Sequence, residues 1–167
     1  MFQIPDHPTR ALLIEDIPQY QRILTRVLAG ANIQLDTSHL LADGIAKASE
    51  FTYDVVLLDL GLPDSQGLST YTTFHHHIPS LPVIILSVTE DQQLASQAVQ
   101  NGAQDYLVKG SYLLNDAMGK DILCRAIAYA IERNKIQRDL FNAHATLEER
   151  VVSRTAELRQ ANRSLAN

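Results

Sequence analysis

Glu15, Asp16, Asp59, Ser87 and Lys109 are the residues whose types and spacing could do chemistry together. Each closely follows a short apolar run: residues 11–14 precede the acidic pair, 55–58 precede Asp59, 83–86 precede Ser87, and 106–108 precede Lys109. Crowded carboxylates repel one another and cannot all stay ionised without a counter-charge. A hard divalent cation such as Mg²⁺ meets that need, because it takes oxygen ligands and keeps some of its water. Asp16 and Asp59 are the expected direct ligands, with Glu15 direct or through water and the backbone carbonyl of Gly61 completing the protein's share. The remaining groups suit phosphoryl transfer onto Asp59. Lys109 would meet one phosphoryl oxygen and the Ser87 hydroxyl would donate to another. Such transfer depends on positioning and charge neutralisation, so a phosphohistidine donor needs no separate general base. The acyl phosphate formed would hydrolyse and reset the site.

For these residues to meet, the apolar runs must be strands of one parallel sheet. The run at 11–14 is too short for a helix. Pro18 suits the first turn of a helix carrying Tyr20, Ile23, Leu24, Val27 and Leu28, closed by Gly30. Residues 33–38 form a weaker second strand, and Asp43 is expected to cap a short helix running to Phe51. Residues 54–58 are the clearest strand, apolar on both faces as in a covered sheet. Gly61, Pro63, Asp64 and Gly67 mark a loop. A helix over 68–77, a strand over 83–86, a helix over 90–101 closed by Gly102, a strand over 106–108 and a helix from about Asn115 follow. Alternating strands and helices predict an α/β fold: a flavodoxin-like, doubly wound, five-stranded parallel sheet with helices on both faces. The strand order 2-1-3-4-5 is one of the few that right-handed crossovers permit. Polar residues at the C-terminal strand ends then share one sheet edge, where ligands of such folds collect.

The 167 residues allow one domain and an appendage. The net charge of -5 provides no basic field, so direct nucleic-acid binding is not expected. No stretch is long enough to cross a bilayer, and the first ten residues lack the apolar run of a secretory leader. The lone cysteine, Cys124, sits in a helical apolar pattern and reads as a buried thiol, consistent with a reducing, cytoplasmic setting.

Residues 10 to 133 resemble response-regulator receiver domains of two-component signalling. The resemblance lies in Ile14-Glu15-Asp16, in the segment from Val55 to Asp64 around Asp59, in Ile84-Ile85-Leu86-Ser87, and in Asn101 through Lys109. It implies phosphorylation of Asp59, a metal held by Glu15 and Asp16, and phosphoryl contacts from Ser87 and Lys109. It further implies that Tyr106 is the aromatic whose rotamer follows Ser87, and that a histidine kinase or phosphotransfer protein is the partner. Two positions depart from the family. Gly110 stands where a proline usually follows the lysine, which removes the expectation of a cis peptide. Val88 replaces a small residue, and its β-branched bulk is expected to slow access to Asp59.

After Met118 the helical pattern runs on through Ile122, Ile127, Ile131 and Ile136. A seven-residue spacing then takes over, with Leu140, Leu147, Val151, Leu158, Ala161 and Leu165 on the seam and Gln137, His144 and Arg154 interrupting it. About fifty residues of helix would reach roughly 75 Å. The expected division is a tail over 1–9, a receiver over 10–133 and a coiled-coil extension over 134–167 that forms a homodimer. The stretch from Leu147 to Leu158 also resembles signalling linkers that lead into kinase, sensory or cyclase modules, so the chain is expected to be the front of a longer protein.

Two other readings compete. An aspartate-nucleophile phosphohydrolase would carry a second Asp two positions after the nucleophile, where Gly61 stands. A receiver-like dimerisation scaffold without phosphorylation would have no reason to crowd the acidic pair with Lys109. The histidines at 75, 76 and 77 point about 100° apart on a helix and are not expected to share a metal. Tyr53 and Tyr71 read as packing residues, and Asp64 as a turn former.

Overall fold

The structure is a computed structural model, and it describes residues 7–110 and 116–167. It divides into two compact units, Met1–Glu132 and Arg133–Asn167.

In the first unit, β1 (Thr9–Ile14), β2 (Ile33–Ser38), β3 (Val55–Asp59), β6 (Val83–Ser87) and β7 (Asp105–Val108) build one parallel sheet. Its order is β2-β1-β3-β6-β7, which is 2-1-3-4-5 when only its own strands are counted. The helices are α1 (Pro18–Leu28), α2 (Leu41–Glu50), α3 (Leu68–His77), α4 (Gln92–Gln100) and α5 (Asp116–Leu165).

The alternation of side chains along each strand decides which helix covers which face. Leu12, Ile14, Val56, Leu58, Val83 and Ile85 pack with Leu41, Tyr71, Phe74 and Ala98, so α2, α3 and α4 lie on that face. Ala11, Leu13, Val55, Leu57, Ile84 and Leu86 pack instead with Leu24, Val27 and Leu28 of α1 and with Leu123, Ala126, Ile127 and Ala130 of α5. With both faces covered, all five residues of β3 and of β6 are buried. Tyr53 and Tyr71 are buried as packing residues. Cys124 is half-buried beside the α1 and α5 face, less enclosed than its pattern suggested, and burial pushes its thiol pKa up.

One glycine is dictated by close approach. A Cβ on Gly44 of α2 would lie 2.2 Å from Cδ1 of Ile14, so the helix rests directly on β1. At the end of α1, Gly30 takes φ +73, the left-handed stop expected of it, and Lys120 Nζ donates to the Ala29 carbonyl at 3.0 Å.

Two local expectations need correction. Residues 61–67 are more than a loop: β4 (Gly61–Leu62) and β5 (Ser65–Gln66) pair antiparallel. Asp43 does not cap α2. That helix starts after Leu40, which has no capping side chain, and Asp43 lies within its first turn. The cap comes from Asp64, whose Oδ1 accepts from Leu41 N at 2.9 Å and whose Oδ2 accepts from Ala42 N at 3.0 Å. Burial tends to raise the Asp64 pKa, but the backbone N–H groups of Ala42, Leu41 and Asp64 itself outweigh it and hold the carboxyl below its usual range.

In the second unit, Arg133–Asn167, α5 runs on to Leu165. Within the single chain, Leu140, Leu147, Val151, Leu158 and Leu165 of the seam are all exposed. His144 faces Glu148 at 3.5 Å and Arg154 pairs with Glu157 at 3.1 Å, the spacing of neighbours on a helix surface.

Candidate functional site

Because every strand of the large sheet runs the same way, the residues that end or follow β1, β3, β6 and β7 gather at one edge. Glu15 is fully buried just beyond β1, Asp59 ends β3, Ser87 ends β6 and Lys109 follows β7. Register carries this through: Asp59 pairs with Leu86, and Ser87 pairs with Val108.

Lys109 is the centre of the arrangement. Its ammonium donates to Glu15 Oε2 and lies 3.1 Å from Asp59 Oδ1, with only 1% of its side chain exposed. Glu15 Oε1 accepts from Ile17 N at 3.0 Å, and Glu15 N donates to the Ser38 carbonyl at 2.9 Å. Burial pushes the Glu15 carboxyl above its usual range, and Lys109 pulls it back only in part. Glu15, Asp16 and Asp59 each offer an oxygen within 4.8 Å of the others. Lys109 can offset one of these charges, so a fully ionised trio keeps an excess of negative charge. Asp16 Oδ1 is buried with no hydrogen-bond partner among the described residues, a costly state for a carboxylate oxygen. An orphaned oxygen within an all-oxygen, net-negative cluster fits a hard divalent cation. Gly61 lies beside the cluster, since a Cβ there would come within 3.7 Å of Asp59 Oδ2.

Ser87 is buried, its Oγ accepting from Thr89 N at 3.2 Å. The Tyr106 hydroxyl donates to the Thr89 carbonyl at 3.0 Å, so Thr89 links the two residues expected to switch together. Val88 between them is 62% exposed. No peptide bond is cis among the described residues.

Other candidates separate as the spacing argued. His75 stacks on Tyr71 with ring centroids 5.5 Å apart, while His77 Nδ1 lies 2.8 Å from the Thr73 carbonyl. These histidines form no metal cluster among the described residues. One neighbour of the site escaped sequence reasoning: the ring of Tyr20, whose centroid lies 4.4 Å from Lys109 Nζ. The available signal is its place in the first turn of the helix that begins at this sheet edge, where periodicity alone assigns it to the apolar stripe.

Residues 11–114 match the response regulator receiver domain family. The chain is 33% identical over 132 residues to the transcriptional regulatory protein KdpE of Mycobacterium tuberculosis, covering 79% of this chain and 55% of that protein. It thus spans about half the length of the curated relatives it matches. Among solved structures it is similar to the signal receiver domain of a putative Luxo repressor protein from Vibrio parahaemolyticus. That likeness has a TM-score of 0.67 at 24% identity and covers 80% of this chain and 97% of that one. It is also similar to a chain of the CheX-CheY-BeF3-Mg+2 complex from Borrelia burgdorferi, with TM-score 0.59 and 21% identity over 68% of this chain and 89% of that one. At such identities these structures speak for the fold alone. None of the helices among the described residues is long and apolar enough to cross a membrane. The family match, the curated relatives and the fold agree, and the chain belongs to the response regulator receiver domains of two-component signalling.

Proposed function

We propose that this receiver accepts a phosphoryl group on Asp59 from the phosphohistidine of a kinase or phosphotransfer protein. The observation that carries the reading is the buried Lys109 ammonium set between Glu15 and Asp59, beside the orphaned Asp16 oxygen. A carboxylate oxygen of Asp59 forms a bond to phosphorus as the donor's N–P bond breaks. The electron pair stays on the imidazole nitrogen, which is then protonated from water. Lys109 meets one phosphoryl oxygen and the Ser87 hydroxyl donates to another, stabilising charge where it gathers. Glu15, Asp16, Asp59 and the Gly61 carbonyl would hold Mg²⁺, which when bound neutralises charge on the phosphoryl oxygens. As Ser87 turns toward the phosphoryl group, the Thr89 link carries the change to Tyr106 and to the surface of α4, β7 and α5.

Residues 10–133 serve in this reading as the receiver and 134–167 as a coiled-coil extension that pairs two copies. The exposed seam supports this, since burying its leucines and Val151 against a second copy removes apolar area from water. The test is labelling with a radioactive small phosphodonor, acetyl phosphate, in Mg²⁺. Label should enter the unaltered chain, vanish on chelation and be absent from Asp59→Asn. Equal label on Asp59→Asn would remove the assignment. Sedimentation of Leu158→Glu, expected to run as a monomer where the unaltered chain pairs, tests the extension.

A further inference from the structure

Lys109 has to hold a long, flexible side chain in one place, and the backbone around it gives limited help. Its N–H donates to the Ser87 carbonyl at 2.6 Å, and Gly110 N closes a three-residue turn onto the Val108 carbonyl at 2.8 Å. The next residue is the conformationally free Gly110, where a proline ring would have restricted the chain. A lysine side chain has many rotamers, and only its contacts keep the ammonium in one of them. Glu15 and Asp59 bind the ammonium through charge, yet Asp59 is the group that reaction would change.

The ring of Tyr20 is a contact of a different kind. With the ammonium 4.4 Å over its centroid, it lies well inside the range at which the negative face of an aromatic ring attracts a cation. Tyr20 stands in the first turn of α1, two residues after Pro18 fixes the start of that helix, and α1 is packed on the sheet through Leu24, Val27 and Leu28. The ring is therefore mounted on a rigid element, and its attraction for Lys109 does not depend on the state of Asp59.

We propose that Tyr20 is a positioning residue for phosphoryl transfer, acting through Lys109 by holding its ammonium against the ring face. The inference rests on the reading of Asp59 as acceptor. It predicts that Tyr20→Leu slows labelling of Asp59 by acetyl phosphate roughly two- to thirtyfold, the kinetic equivalent of one cation–π contact. Tyr20→Phe, which keeps the ring, retains most of the rate. In a Lys109→Ala background, Tyr20→Leu adds little, because the group it acts through is gone. All 167 residues are used throughout, with Tyr20→Met beside Tyr20→Leu should the latter fail to fold. In the unaltered chain and in Tyr20→Phe, the Lys109 Cε protons should show an upfield ring-current shift by NMR.

An unchanged rate in Tyr20→Leu or Tyr20→Met overturns the proposal, as does a loss of equal size with Lys109 absent. A Tyr20→Phe variant as slow as Tyr20→Leu transfers the effect to the hydroxyl and also overturns it. So does a missing ring-current shift. Absence of label on the unaltered chain would instead strike at the acceptor reading, and the inference would fall with it.

Discussion

Phe74 and Phe141 are the same side chain in two opposite circumstances. Phe74, on α3, is fully enclosed by the first unit, whereas Phe141, in the second unit, is 74% exposed. The contrast extends to whole regions. In the receiver, apolar residues on both faces of the sheet are covered by helices of the same chain, and the buried polar residues include the acidic site with its lysine. In residues 133–167 the apolar seam faces solvent, and the pairs His144 with Glu148 and Arg154 with Glu157 join neighbours along one helix. The first region carries its own stabilisation, and the second needs a surface supplied by another molecule to gain any from its apolar groups.

That contrast is most easily broken by paired truncations. Phe74→Ala should lower unfolding free energy by about 3–5 kcal/mol through lost burial and a residual cavity. Phe141→Ala should change it by less than about 0.5 kcal/mol when measured by urea denaturation at a concentration where the chain is monomeric. A large loss for Phe141→Ala would show that the helix is stabilised within the single chain and would end the distinction.

A smaller effect is expected where a polar group stabilises the receiver. Asp64→Ala removes the cap of α2 and should cost about 0.5–2 kcal/mol. Because the folded carboxyl lies below its ordinary range, this contribution is present above the unfolded pKa and fades as pH falls through the lower, folded value. Urea melts across the acid range should show the unaltered chain and Asp64→Ala converging at the acid end. A gap that persists there would mean the cap does not act through the ionised carboxylate.

The smallest expected effect is kinetic. Val88→Ala should speed labelling of Asp59 by less than about tenfold, equivalent to under about 1.4 kcal/mol of barrier, and leave stability nearly unchanged. Since Val88 is largely exposed, a stability loss beyond that of ordinary surface changes would sink the steric account.

What could be read from the chain, and what could not, follows from the range of the interactions. The strand over 55–59 and the helix over 18–28 declare themselves because apolar runs, helical periodicity and local turn chemistry sit in adjacent residues. The gathering of Glu15, Asp59, Ser87 and Lys109 was legible too, since parallel strands bring their C-terminal ends to a single edge. Asp64 capping a helix that starts 23 residues earlier was not, because no local pattern names a partner so distant. Asp43, in the first turn of that helix, was the plausible wrong choice. The pairing of Gly61–Leu62 with Ser65–Gln66 is too short to leave a period. Tyr20 against Lys109 was hidden for a related reason, as a half-buried tyrosine on an apolar stripe looks like packing until its neighbour is known.

The Asp64 strap turns two distant amides into reporters. Leu41 N and Ala42 N open α2 and find their acceptors on the segment that follows the candidate acceptor, Asp59. Both amides should exchange slowly while that segment stays docked, so deuterium uptake at residues 41 and 42 should report how readily the 61–67 hairpin lifts. Observation of one helix terminus thereby gives a clock for motion at the mouth of the site, with no label placed on the site itself.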